Sequence, residues 1–136
     1  MSVSDLVANR LKVEEGFSEK PYKDSLGILT GGYGTNLEVA HSANAWFAMM
    51  HAEVDETDAE LQRFPWYTSQ NDVRKSVLCD MAYNMGLDGL LHFPHMLSAV
   101  ANGDYQTAHD EMLNSLWAKQ VGQRATNLAA LMLRGE

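Results

Sequence analysis

The spacing of apolar residues changes twice along the chain, and each change marks a new kind of element. Leu6, Val7, Leu11 and Val13 recur at helical spacing behind Ser4, which can cap the helix, and the run stops at Gly16. Residues 17–37 lose that period. Pro21, Gly27, Gly31, Gly32 and Gly34 break the segment into short runs such as Ile28-Leu29-Thr30, which predicts a small hairpin or three-stranded sheet. The helical period returns after Ser42 or Asn44. Trp46, Met49, Met50, Val54, Leu61 and Phe64 form its intermittent stripe, with Pro65 closing it. Ser69 and Asp72 suggest a capping box for a further helix that turns Val73, Val77, Leu78, Met81 and Ala82 inward and breaks at Gly86 and Gly89. Shorter helices follow over 94–100, 105–113 and 122–133. Helix, small sheet, long helix and helical bundle make an α+β chain. The expected layout is a sheet lobe over about 14–45, a connecting helix over about 42–64, and a helical lobe over about 65–136 that includes the N-terminal helix. A cleft between two such lobes is a common binding place.

With 136 residues, 46% hydrophobic and 21% charged, the chain reads as an ordinary globular domain. It has neither the roughly 20 consecutive apolar residues of a membrane span nor a secretory h-region at its start. The expectation is a protein made and held in a cytoplasm until something else releases it. The formal net charge of −8 argues against a nucleic-acid partner, since phosphate binding rests on Lys and Arg. The acidic run Glu53, Asp55, Glu56, Asp58 and Glu60 reads as a solvated helix face. Cys79, the lone cysteine, lies in an apolar stretch and reads as a buried, inert thiol. Trp46 and Trp117 read as core. His92 and His95 flank Pro94, which favours a helix start over a metal pair, so no metal and no cofactor is expected.

The chemistry concentrates where the first helix gives way to the hairpin. Glu15 in LKVEEGF, Asp24 in YKDSLG and Thr30 in ILTGGYG supply two carboxylates and a hydroxyl within sixteen residues. Glycoside hydrolysis needs such a pair: one carboxyl protonates the leaving oxygen and the other directs the attack. The hydroxyl adds a group that can hold a water against the sugar.

These residues resemble the phage-type lysozymes, the T-even phage endolysin family (glycoside hydrolase family twenty-four). The resemblance rests on Glu15-Gly16, Tyr22-Lys23-Asp24 and Thr30-Gly31-Gly32-Tyr33-Gly34. It extends through Val73-Arg74-Lys75 to Tyr83-Asn84-Met85-Gly86, and to Trp117 with Gln120 and Gly122-Gln123-Arg124-Ala125. It implies a two-lobed lysozyme fold and a muramidase that cuts the β-1,4 bond between N-acetylmuramic acid and N-acetylglucosamine in peptidoglycan. Carried over by position, Glu15 is the general acid, Asp24 the second carboxylate and Thr30 the holder of the water. Tyr83 and Asn84 contact the sugar chain, and Arg124 supports Glu15 as its paired cation. Inversion is the implied outcome, for which the carboxyl groups stand roughly 6.5–9.5 Å apart.

The implied setting is a monomeric endolysin that waits in the host cytoplasm and reaches the periplasm and wall when a separate holin opens the membrane, without itself inserting. A virion-tail lysozyme and a bacterial enzyme are alternatives. Two further alternatives differ in chemistry: a non-catalytic peptidoglycan-binding or virion structural protein, and a lytic transglycosylase, which can dispense with Asp24 and Thr30. Thr35 follows Gly34 where many relatives have His, so an ion pair to the long helix is absent. The stretch before that helix is also trimmed, which predicts a minimal sheet lobe.

Overall fold

The structure is a computed structural model that describes residues 2–136. Its α+β architecture comprises a helix, a three-stranded antiparallel sheet and a helical remainder. The chain divides into two compact units, Met1–Trp46 and Phe47–Glu136.

The first unit begins with α1 (Val3–Glu14). Its cap is Ser2, not the expected Ser4. The Ser2 hydroxyl accepts from Asp5 N at 3.1 Å while Asp5 Oδ2 accepts from Ser2 N at 3.2 Å, a reciprocal box that Ser4 has no acid to complete. The apolar stripe is present but stays in contact with solvent: Leu6 is 50% and Val13 84% exposed, and α1 buries none of its residues. A unit this small has little interior to offer. Strands β1 (Ser18–Lys23), β2 (Leu29–Gly32) and β3 (Thr35–Asn36) follow, ordered β1-β2-β3. Tyr22 pairs with Thr30, and Thr30 pairs in turn with Asn36. The β1–β2 register is irregular between Ser18 and Tyr22, where Pro21 cannot donate to the ladder.

Helix α2 (Ala43–Leu61) starts at Ser42, whose hydroxyl accepts from Ala45 N at 3.1 Å. Its early apolar residues are open to solvent, contrary to the core reading of Trp46, which is 48% exposed. The helical unit adds α3 (Pro65–Thr68), α4 (Asp72–Leu91), α5 (Pro94–Ala101), α6 (Tyr105–Leu113), α7 (Leu116–Val121) and α8 (Gln123–Arg134). Pro65 opens the unforeseen α3 as well as following α2, since a first-turn position has no N–H to lose. Asn71 caps α4 by accepting from Arg74 N at 2.9 Å, so the expected Ser69 belongs instead to the end of α3. Gly86, at φ 81° and ψ 161°, breaks α4 into two helical stretches as expected, in a backbone conformation reserved for glycine, whereas the helix runs on through Gly89. The last expected helix, 122–133, is α8, and Gly122 separates it from α7, which the spacing did not foresee.

The core lies in this helical unit. Leu61, Leu78, Met81, Leu90, Met96, Val100, Met112 and Met132 are fully buried, and α8 packs against α4 and α6. Val77, Leu78, Met81 and Ala82 turn inward as their spacing predicts, and Trp117 is core as expected. Gln70, buried among them, is satisfied throughout: Nε2 donates to Trp66 O and Val100 O, and Oε1 accepts from the Tyr105 hydroxyl. No helix among the described residues is long and apolar enough to cross a membrane.

Candidate active site

The first unit carries Glu15, Asp24 and Thr30, each held by a different local device. Glu15 is the C-cap of α1, its N–H donating to Leu11 O at 2.9 Å, so its side chain leaves the helix where the chain turns into the sheet. The carboxyl group reaches the tip of the β2–β3 turn. A Cβ built on Gly34 would stand 2.6 Å from Glu15 Oε2 and 2.8 Å from its Cδ. A glycine leaves that space with the carboxyl group where it is, and its φ of 78° lies in the left-handed region besides.

Asp24 closes the β1–β2 turn. Its Oδ1 accepts from Leu26 N at 2.8 Å and Ile28 N at 2.9 Å, and its backbone N–H donates to Ile28 O. A turn-forming role and a chemical one therefore coexist in one side chain. Oδ1 fixes the carboxylate plane, while Oδ2 takes no protein hydrogen bond among the described residues. Thr30 sits at the centre of β2, 5% exposed, and its hydroxyl donates to Ile28 O at 2.9 Å. With the proton committed there, the oxygen's lone pairs remain to accept from a water.

The helical unit holds the other expected residues. Tyr83 and Arg124 line one cavity of about 600 Å³, together with Asp58, Tyr67, Cys79 and Asp80. Arg124, in the first turn of α8, donates from Nε at 3.1 Å and from a terminal nitrogen at 2.6 Å to Asp80 Oδ1. Asp80 was not foreseen as a partner. Asp80, Tyr83 and Asn84 are spaced i, i+3, i+4 and share one face of α4, a spacing that makes Asp80 their neighbour without pointing to Arg124. Asn84 is exposed and accepts from Trp117 Nε1 at 2.9 Å, a link that the core reading of Trp117 missed.

Asp58 departs from the solvated-face reading of its acidic run. It accepts a short hydrogen bond from the Tyr67 hydroxyl and a second from Gln62 at 3.0 Å. Burial, aided by that bond, pushes the Tyr67 hydroxyl well above the usual phenol range. Burial likewise raises the Cys79 thiol, with the nearby Asp58 charge adding to it, which favours the protonated thiol over the nucleophilic thiolate. Among the described residues no three His, Cys, Asp or Glu side chains gather as a metal site would require.

Comparison with known proteins identifies the family. The phage lysozyme family matches residues 12–135. The chain is also 34% identical over 71 residues to the pre-baseplate central spike protein Gp5 of Enterobacteria phage T4. That match covers 52% of this chain and 12% of the spike protein's length. Glu15, the Tyr-Lys-Asp turn, the Thr30 hairpin, the α4 segment and the Trp117–Ala125 segment all fall inside the family match, and the chain belongs to the phage lysozyme family of glycoside hydrolases.

Proposed function

We propose that this protein is a muramidase that hydrolyses the β-1,4 bond between N-acetylmuramic acid and N-acetylglucosamine in peptidoglycan. One observation carries the reading beyond family membership: the Glu15 carboxyl group is fitted over Gly34, on the same small sheet that holds Thr30. In this reading Glu15 protonates the leaving glycosidic oxygen. Asp24, its Oδ1 pinned by two N–H donors, offers Oδ2 to the attacking water and to the positive charge that develops on the sugar ring. Thr30 accepts a hydrogen bond from that water. Attack from the face opposite the leaving group inverts the anomeric carbon. Tyr83 and Asn84 contact the glycan, and Arg124, paired with Asp80, is a supporting residue.

A residue that directs water separates hydrolysis from transglycosylation, in which a hydroxyl of the muramic acid attacks instead. Mass spectrometry of digested peptidoglycan tests this directly. Reducing muramic ends support the proposal, and anhydromuramic ends reject it.

For the biological setting, the endolysin reading has the protein act from the host cytoplasm once a separate holin opens a path to the wall. The similarity to a phage baseplate central spike protein favours a second reading, wall opening by a particle-borne enzyme. Immunodetection of the protein in purified phage particles separates the two.

A further inference from the structure

We propose that Trp117 is a positioning residue for glycan binding: its indole N–H holds the Asn84 amide so that the nitrogen, rather than the oxygen, is presented outward. The inference rests on the reading above that Asn84 contacts the glycan, and it adds the polarity of that contact and the group that sets it.

The orientation follows from chemistry. An indole nitrogen can only donate, so the atom 2.9 Å from Trp117 Nε1 must be the Asn84 oxygen. The reversed amide would set two donors against each other. The anchor itself is firmly placed. Trp117 is 6% exposed, and Phe93 meets it edge-on with ring centroids 6.3 Å apart. It lies in the first turn of α7, where Ser115 accepts from Ala118 N at 3.1 Å and donates to Met112 O at 2.7 Å. Asn84, by contrast, is exposed, two residues before the Gly86 kink that ends the first half of α4. Its Nδ2 group has no protein acceptor among the described residues. A rigid buried donor thus locks one end of an exposed amide and leaves two N–H groups pointing away from the core.

The end of the amide left free by Trp117 donates, and a donor selects for an acceptor. The glycan repeat carries a strong neutral one, the acetamido carbonyl, on every sugar. Locking the amide before binding removes the ordering loss that a free asparagine would suffer on meeting it.

The test uses the Glu15→Gln protein, so that binding is read without turnover, with calorimetric titration of soluble glycan fragments stripped of stem peptides. Asn84→Asp keeps an oxygen for Trp117 and replaces the outward donors by an acceptor oxygen that carries charge, so its loss is read beside that of the neutral Asn84→Ala variant. The Asn84→Asp protein should hold the parent's Tm while affinity falls about tenfold. Trp117→Phe should weaken binding about three- to tenfold, and should change nothing further in an Asn84→Ala background. De-N-acetylated fragments should bind the parent more weakly and the Asn84→Ala variant no differently from acetylated ones. Equal losses from Trp117→Phe with and without the Asn84 side chain would overturn the positioning role. Undiminished binding by Asn84→Asp, which does not depend on how well the Phe variant folds, would overturn the donor assignment. A parent that binds no glycan fragment would overturn the glycan reading itself, and this inference with it.

Discussion

Glu15 lies against Gly34 so closely that a single added methyl would stand 2.6 Å from its Oε2 oxygen. The general acid of the proposed mechanism is thus placed by the absence of a side chain nineteen positions later. Gly34→Ala should displace the carboxyl group and strain the turn together. We expect kcat to fall about a hundredfold, the scale of a misplacement near 1 Å, in a protein whose circular dichroism is unchanged. Near-normal kcat would mean that the Glu15 position is not set by this contact.

Thr30 separates the hydroxyl's chemical role from its packing. Thr30→Val keeps the shape and removes the donor to Ile28 O, at a stability cost of about 1 kcal/mol. If the oxygen also holds the attacking water, kcat should fall at least tenfold with KM little changed. A fall in stability alone, with kcat intact, would reduce Thr30 to a structural residue.

Asp80 and Arg124 form a pair whose side chains are 40% and 41% exposed. At that exposure the pair is worth less than about 1 kcal/mol, so Asp80→Ala should barely move the urea midpoint. Its effect should appear in the pH–activity profile instead. If Arg124 acts on the general acid, an Arg124 freed of its counter-charge favours the ionised carboxylate, and the high-pH limb, where activity is lost as the acid gives up its proton, should move to lower pH. An unshifted profile would remove Arg124 from the supporting role.

Tyr67 and Cys79 predict alkaline instability. Burial holds both protons more tightly in the folded protein than in the unfolded chain. Stability from these groups is therefore complete below their unfolded values, about 8.5 for a thiol and 10 for a phenol, and falls as pH rises past them. The urea midpoint should drop between pH 8 and 10.5. Tyr67→Phe should start about 1–2 kcal/mol lower, having lost the bond to Asp58, yet show a shallower decline. An equally steep decline in both proteins would assign the alkaline loss elsewhere.

What was legible in the sequence followed from short-range rules. The periodicity of Val77, Leu78, Met81 and Ala82 identified the buried face of α4, and the glycines of 27–34 identified the hairpin. Helix starts were misread where two candidate caps lay close together. Ser2 won over Ser4 because Asp5 reciprocates, and Asn71 over Ser69 because Ser69 already ends α3 as its C-cap. Partnerships across the fold were beyond periodicity. Asp58 with Tyr67, Asp80 with Arg124 and Asn84 with Trp117 join residues 9, 44 and 33 positions apart, and no local pattern fixes such pairs. The exposed Trp46 shows the same limit from the other side, since an apolar residue at helical spacing states a preference for burial without supplying the surface to cover it.

The central claim is that Glu15 supplies the proton for glycosidic cleavage. Release of soluble reducing fragments from purified peptidoglycan, compared between the wild type and Glu15→Gln, tests it most directly. The amide is nearly isosteric and cannot donate an acidic proton, so the account predicts release at background level from a protein with the wild-type Tm. Turnover by the glutamine variant within a fewfold of wild type would contradict it.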